Sequence, residues 1–124
     1  MKKVLVVDDA LTVRLYHRQL MEAIGLEVAE AANGVEALEK GLSEPFDLLI
    51  ADVNMPKMDG YRLLQAMRQD AGLRAIPVVM VSTESQHRDR QQAYAVGANA
   101  YVVKPADAAR LQSLAVVLSG GDAV

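Results

Sequence analysis

Three acids, a hydroxyl and an amine follow short apolar runs in this chain: Asp8 and Asp9 after residues 4–7, Asp52 after 48–51, Ser82 after 78–81 and Lys104 after 101–103. Carboxylates gathered at one place repel one another and raise one another's pKa unless a cation lies among them. Cysteine is absent, and neither His17 nor His87 has a second histidine at metal-ligand spacing, so the donors on offer are oxygens. Oxygen donors select a hard ion, Mg²⁺ or Mn²⁺, over Zn²⁺. Mg²⁺ retains several waters and leaves room for a phosphoryl oxygen. Ser82 supplies a hydroxyl donor and Lys104 a compact positive charge, both suited to phosphate oxygens. Asp52 is the acid placed to act as nucleophile. Carboxylates form aspartyl phosphates, and that chemistry rests on positioning and charge neutralisation.

For these residues to meet, the runs before them must be neighbouring strands. All four runs are short, continuous and apolar, the pattern of strands buried on both faces. Residues 27–31, with Val28 between acids, predict a fifth strand closer to an edge strand in pattern. Between the strands, apolar residues recur every three or four positions over 12–23, 34–42, 60–69, 88–96 and 106–118, as in Leu15, Leu20, Met21 and Ile24. Gly25, Asn33-Gly34, Glu44-Pro45, Met55-Pro56, Asp59-Gly60, Ile76-Pro77 and Gly97 punctuate these elements. Five strands alternating with five helices predict a doubly wound α/β domain: a five-stranded parallel sheet, right-handed crossovers and helices on both faces. If the strand order is 2-1-3-4-5, it reverses between the first and third strands, and ligands bind outside the carboxyl ends of strands at such a reversal. Asp8, Asp9 and Asp52 are expected there.

The 124 residues, 52% of them hydrophobic, suit one domain with one core, placed at residues 1–118 with a disordered tail at 119–124. Apolar runs of four or five residues fall far short of the roughly 20 that cross a bilayer. A formal charge of -3, with Lys and Arg scattered, gives no basic footprint for nucleic acid or an anionic membrane. The lack of cysteine fits a reducing compartment, and a cytoplasmic monomer is expected.

The motifs together resemble the receiver domains of bacterial two-component response regulators, especially the single-domain, CheY-like chemotaxis type with its flavodoxin-like fold. The resemblance runs from Lys2 to about Leu118. It is carried by Val-Val-Asp8-Asp9, Asp52-Val-Asn54-Met-Pro56-Lys-Met-Asp59-Gly60, Pro77-Val-Val-Met-Val-Ser82-Thr-Glu84, Gly97-Ala98 and Tyr101-Val-Val-Lys104-Pro105. It implies that Asp52 accepts the phosphoryl group and that Asp9, Asp52 and the backbone carbonyl of Asn54 ligate Mg²⁺, with Asp8 acting through a metal-bound water. It further implies that Lys104, before a cis proline peptide, bridges to the phosphoryl group, that Ser82 bonds a phosphoryl oxygen, and that Tyr101 turns inward as Ser82 moves. Asn54 and Glu84 match positions that tune dephosphorylation. The implied partners are a sensor histidine kinase, a phosphatase and a downstream target such as a flagellar motor switch protein. The sequence departs from the family pattern at Ala10, Val53 and Ala106, the last bearing on partner identity.

Other classes fit less well. A phosphohydrolase turning over an aspartyl phosphate wants an acid two residues after the nucleophile, where this chain has Asn54. A flavin carrier wants Ser, Thr and Gly after the first strand, where Asp8-Asp9-Ala10-Leu11 has the wrong charge. A relay or adaptor receiver that controls a kinase remains the alternative within signalling. Asp59-Gly60 reads as a turn and helix start, Met55, Met58, Met67 and Met80 as packing, and His17 and His87 as exposed or lightly packed. The mixed run 86–92 reads equally as a solvated helix face and as part of an output surface.

Overall fold

A computed structural model describes residues 1–120; residues 121–124, the end of the expected tail, lie outside the described residues. Five strands alternate with five helices: β1 (Lys3–Val7), α1 (Leu11–Ala23), β2 (Glu27–Ala31), α2 (Gly34–Ser43), β3 (Leu48–Asp52), α3 (Gly60–Gln69), β4 (Val78–Ser82), α4 (His87–Ala95), β5 (Ala100–Val103) and α5 (Ala108–Leu118). The strands are all parallel, in the order β2-β1-β3-β4-β5. This is the doubly wound fold the spacing predicts.

Side chains alternate across a strand, so each apolar run feeds two layers. Leu5, Val7, Leu49, Ala51, Met80 and Tyr101 face Leu63, Leu64 and Met67 of α3 and Ala93 of α4. On the other face Val4, Leu48, Ile50, Val79, Val81 and Val102 meet Met21 of α1 and Leu111 and Ala115 of α5. The charged residues of β2 place it at the sheet edge, as expected.

Local chemistry sets the helix starts. Asp59 caps α3 by accepting from the Arg62 N–H at 2.9 Å. α5 begins two residues later than the periodicity suggests, because the Asp107 carboxylate accepts from the Arg110 N–H at 2.9 Å and leaves Ala106 buried in the preceding loop. α4 is the most polar helix, burying Ala93 alone, and the Asp89 carboxylate accepts from the Gln86 N–H at its start. Ser119 and Gly120, the first residues of the expected tail, form the turn that closes α5, with Ser119 buried.

His17 corrects an expectation. It is 2% exposed, on the inward face of α1 with Met21 four residues on, whereas Leu15 points to solvent. His87 is exposed, as expected.

Candidate functional site

The register places the ends of β1, β3, β4 and β5 side by side. Val7 pairs with Ala51, Asp52 with Val81 and Ser82 with Val103, so the next residues along the sheet emerge at one edge. Asp8 is 1% exposed and Asp52 6%, while Asp9 faces solvent. One carboxylate oxygen from each of these three acids lies within 4.8 Å of the others. Lys104 reaches back from the end of β5, its Nζ 2.8 Å from Asp8 Oδ2 and 3.0 Å from Asp52 Oδ1. The Lys104–Pro105 peptide is cis, as the resemblance implies. Asp8 Oδ1 accepts from the Ala10 N–H at 2.9 Å, so both Asp8 oxygens are engaged within the protein.

These charges do not balance. Burial raises the Asp52 pKa above its ordinary value; the Lys104 hydrogen bond opposes this, and the neighbouring Asp8 and Asp9 add to the rise. Burial also works against the Lys104 charge, but the Asp8 and Asp52 carboxylates outweigh it and hold its pKa above that of an ordinary lysine. Three clustered acids against one ammonium leave excess negative charge on hard oxygen donors, one of them solvent-facing. That donor set fits a divalent cation of the Mg²⁺ kind.

Close packing fixes the Asp52 backbone. Gly60 opens α3 against it, and a Cβ at position 60 would stand 2.5 Å from the Asp52 carbonyl oxygen and 2.8 Å from Met80 Cε. The Gly60 N–H donates to the Val53 carbonyl at 2.8 Å. Asn54 follows in the exposed loop between β3 and α3.

The other expected residues converge on the backbone of Glu84. Ser82 is wholly buried and its hydroxyl accepts from the Glu84 N–H at 3.1 Å. Tyr101 is 1% exposed and its hydroxyl donates to the Glu84 carbonyl at 2.7 Å. The Arg90 guanidinium lies over the Tyr101 ring, 5.3 Å from its centroid. The resemblance implies that this ring turns inward when the site is phosphorylated; in this structure it is already inside. Beside Lys104 a cleft of about 420 Å³ opens between α1 and the β5–α5 loop, lined by Tyr16, His17, Thr83 and Pro105 among others. Burial lowers the His17 pKa and favours the neutral imidazole.

One residue of the site escaped the sequence reading. Arg14 Nη1 donates to the Asp8 carbonyl at 2.7 Å. The available signal was an arginine near the start of a helix, where the helix dipole disfavours a cation.

An acid pair and a third aspartate facing a lysine, at the reversal point of a 2-1-3-4-5 sheet, define the receiver class, and the chain belongs to the response regulator receiver domain family, whose model matches residues 4–116. It is similar to the chemotaxis protein CheY of Pseudomonas aeruginosa, with 42% identity over 104 residues that cover 83% of this chain and 84% of that protein. The gliding motility regulatory protein of Myxococcus xanthus is 36% identical over 102 residues, 82% of this chain but 13% of that protein. Among solved structures, chemotaxis response regulator CheY4 of Vibrio cholerae superposes with a TM-score of 0.89 at 36% identity, covering 95% of this chain and 98% of that one. The chain is thus a CheY-like receiver of two-component signalling, a class of signalling proteins rather than classical enzymes. No helix among the described residues is long and apolar enough to cross a membrane.

Proposed function

We propose that this protein is a phosphorylation-dependent switch that takes a phosphoryl group from a sensor histidine kinase onto Asp52. The observation that carries the reading is the cluster of Asp8, Asp9 and Asp52 oxygens within 4.8 Å of one another, opposed by the single Lys104 ammonium. In the transfer, an Asp52 carboxylate oxygen attacks phosphorus while the bond to the donor's imidazole nitrogen breaks. Asp9, Asp52 and the Asn54 carbonyl would hold Mg²⁺, with Asp8 acting through a water; when bound, the ion neutralises charge on the phosphoryl oxygens. Lys104 exchanges its contact with the Asp52 carboxylate for one with the phosphoryl group, and Ser82 turns its hydroxyl from the Glu84 N–H to a phosphoryl oxygen. Asn54, two positions after the acceptor, and Glu84, two positions after the Ser82 hydroxyl, set the rate at which water removes the group.

The output is a change in the surface made by α4, β5 and α5, to which Tyr101 couples the site through Glu84. Similarity to CheY over most of both chains supports a chemotaxis role; the receiver resemblance adds a flagellar motor switch target and an auxiliary phosphatase. A relay or adaptor role is the second reading, supported by the occurrence of a similar domain within a much longer gliding motility regulator.

Intact mass after incubation with acetyl phosphate tests the switch. A Mg²⁺-dependent gain of one phosphoryl group, absent in Asp52→Asn, supports it; no gain in the wild type, or an equal gain in the variant, refutes Asp52 as acceptor. Capture of a motor switch protein by the phosphorylated form alone separates the chemotaxis role from the adaptor role.

A further inference from the structure

The backbone joining Asp8 to Asp9 is held from outside the acid cluster. Asp8 donates its N–H to the Ala31 carbonyl at 3.1 Å and accepts the Ala10 N–H on Oδ1, which fixes one side of the turn. The carbonyl of the Asp8–Asp9 peptide accepts from Arg14 Nη1 at 2.7 Å. Arg14 Nε in turn lies 2.8 Å from Glu30 Oε1 on β2, both side chains being largely buried. Glu30 is itself anchored: Arg18 Nη1 lies 2.5 Å from its other oxygen, and its backbone carbonyl accepts from Lys40 Nζ. A planar guanidinium presents its donors in a fixed fork, so binding both acceptors orients the peptide plane as well as placing it.

We propose that Arg14, held by Glu30, is a positioning residue for divalent-cation binding, fixing the Asp8–Asp9 peptide so that the Asp9 carboxylate faces Asp52. The proposal rests on the reading of the acid cluster as a cation site. Charge alone makes the opposite forecast. A guanidinium close to the acids repels a divalent ion, so deleting a mere charge tightens binding, whereas deleting a positioning contact loosens it.

Mg²⁺ titrated calorimetrically into the full chain decides between the two, with thermal melts showing that each variant is folded at the titration temperature. Arg14→Met is expected to weaken Mg²⁺ about tenfold, at the lower end of what loss of an outer contact costs a metal site. Glu30→Gln weakens it less, and the double variant is no worse than Arg14→Met, because Glu30 acts through Arg14. Arg18→Met removes the same charge and another partner of Glu30 without touching Asp8, and binds Mg²⁺ as tightly as the wild type or more so. Arg14→Lys, whose single ammonium lacks the fork, recovers part of the affinity and carries the test if the methionine variant does not fold. Unchanged or tighter binding by Arg14→Met and Arg14→Lys overturns the proposal, as does an equal loss in Arg18→Met. A wild type that takes up no Mg²⁺ overturns the cation-site reading and this proposal together; a wild type that binds and an Arg14→Met that binds equally removes this proposal alone.

Discussion

Replacing Asp52 by Asn makes the protein more stable in the absence of divalent ions. Each of two like charges within 4.8 Å of Asp52 costs about 3.5 kcal/mol at an effective dielectric near 20, and the Lys104 ammonium at 3.0 Å returns about 5.5. Burial adds a further penalty on the ionised form, so the Asp52→Asn variant gains about 1–2 kcal/mol at neutral pH. At about 4 °C per kcal/mol for a domain of this size, the melting temperature rises by about 4–8 °C. The sign of the pH dependence follows from the raised Asp52 pKa. Below its ordinary value of 3.8 the carboxyl is protonated in both states and this difference between wild type and variant vanishes. As pH climbs through the folded-state pKa, the wild type alone loses stability and the gap opens to its full size. Mg²⁺ then closes it from the other side, because the wild type gains binding energy that the variant lacks. Calorimetric melts of both proteins in EDTA and in Mg²⁺ from acid to neutral pH provide the measurement. An Asp52→Asn protein no more stable than the wild type in EDTA at pH 7 refutes the account of the site as an uncompensated cluster of acids.

Removing the other sign of charge does the reverse: Lys104→Met leaves Asp8 and Asp52 facing each other and costs about 3–5 kcal/mol in EDTA, seen as a lower urea midpoint that Mg²⁺ partly restores. Gly60→Ala forces a methyl group onto the Asp52 carbonyl and Met80, and chemical denaturation should register a loss of about 1–3 kcal/mol. Tyr101→Phe keeps the ring packed but deletes the bond to the Glu84 carbonyl, costing about 1 kcal/mol, with faster amide hydrogen exchange in the loop at 83–85.

The sheet was legible because its strands are short apolar runs whose last residue changes to a polar type, and a parallel sheet buried on both faces demands that pattern. Once the strand order was inferred, the meeting of Asp8, Asp9 and Asp52 followed from topology. The contact between Lys104 and Asp8 did not, since the reach of a lysine across two strands leaves no trace in spacing. The burial of His17 has no such trace in the sequence, since by residue type Leu15, not the imidazole, belongs to an apolar stripe. The helix instead buries positions 17 and 21, one turn apart, and accepts an imidazole there in its neutral form. The late start of α5 was present in the sequence as Asp107, whose capping preference outranks the helical propensity of Ala106. Arg14 was overlooked because its acceptor is a backbone carbonyl, a partner with no residue signature.

Glu84 has a kinetic consequence. Its amide is held by Ser82 and its carbonyl by Tyr101, so one peptide segment is gripped at two points by the two residues of the proposed switch. A hydroxyl leaving the first grip is felt at the second through the backbone of Glu84 alone, in the exposed loop after β4. Loops move in nanoseconds to microseconds. On the proposed reading the outer surface therefore follows the chemical state of Asp52 as fast as this loop moves, and the signal lasts as long as the phosphoryl group stays on Asp52.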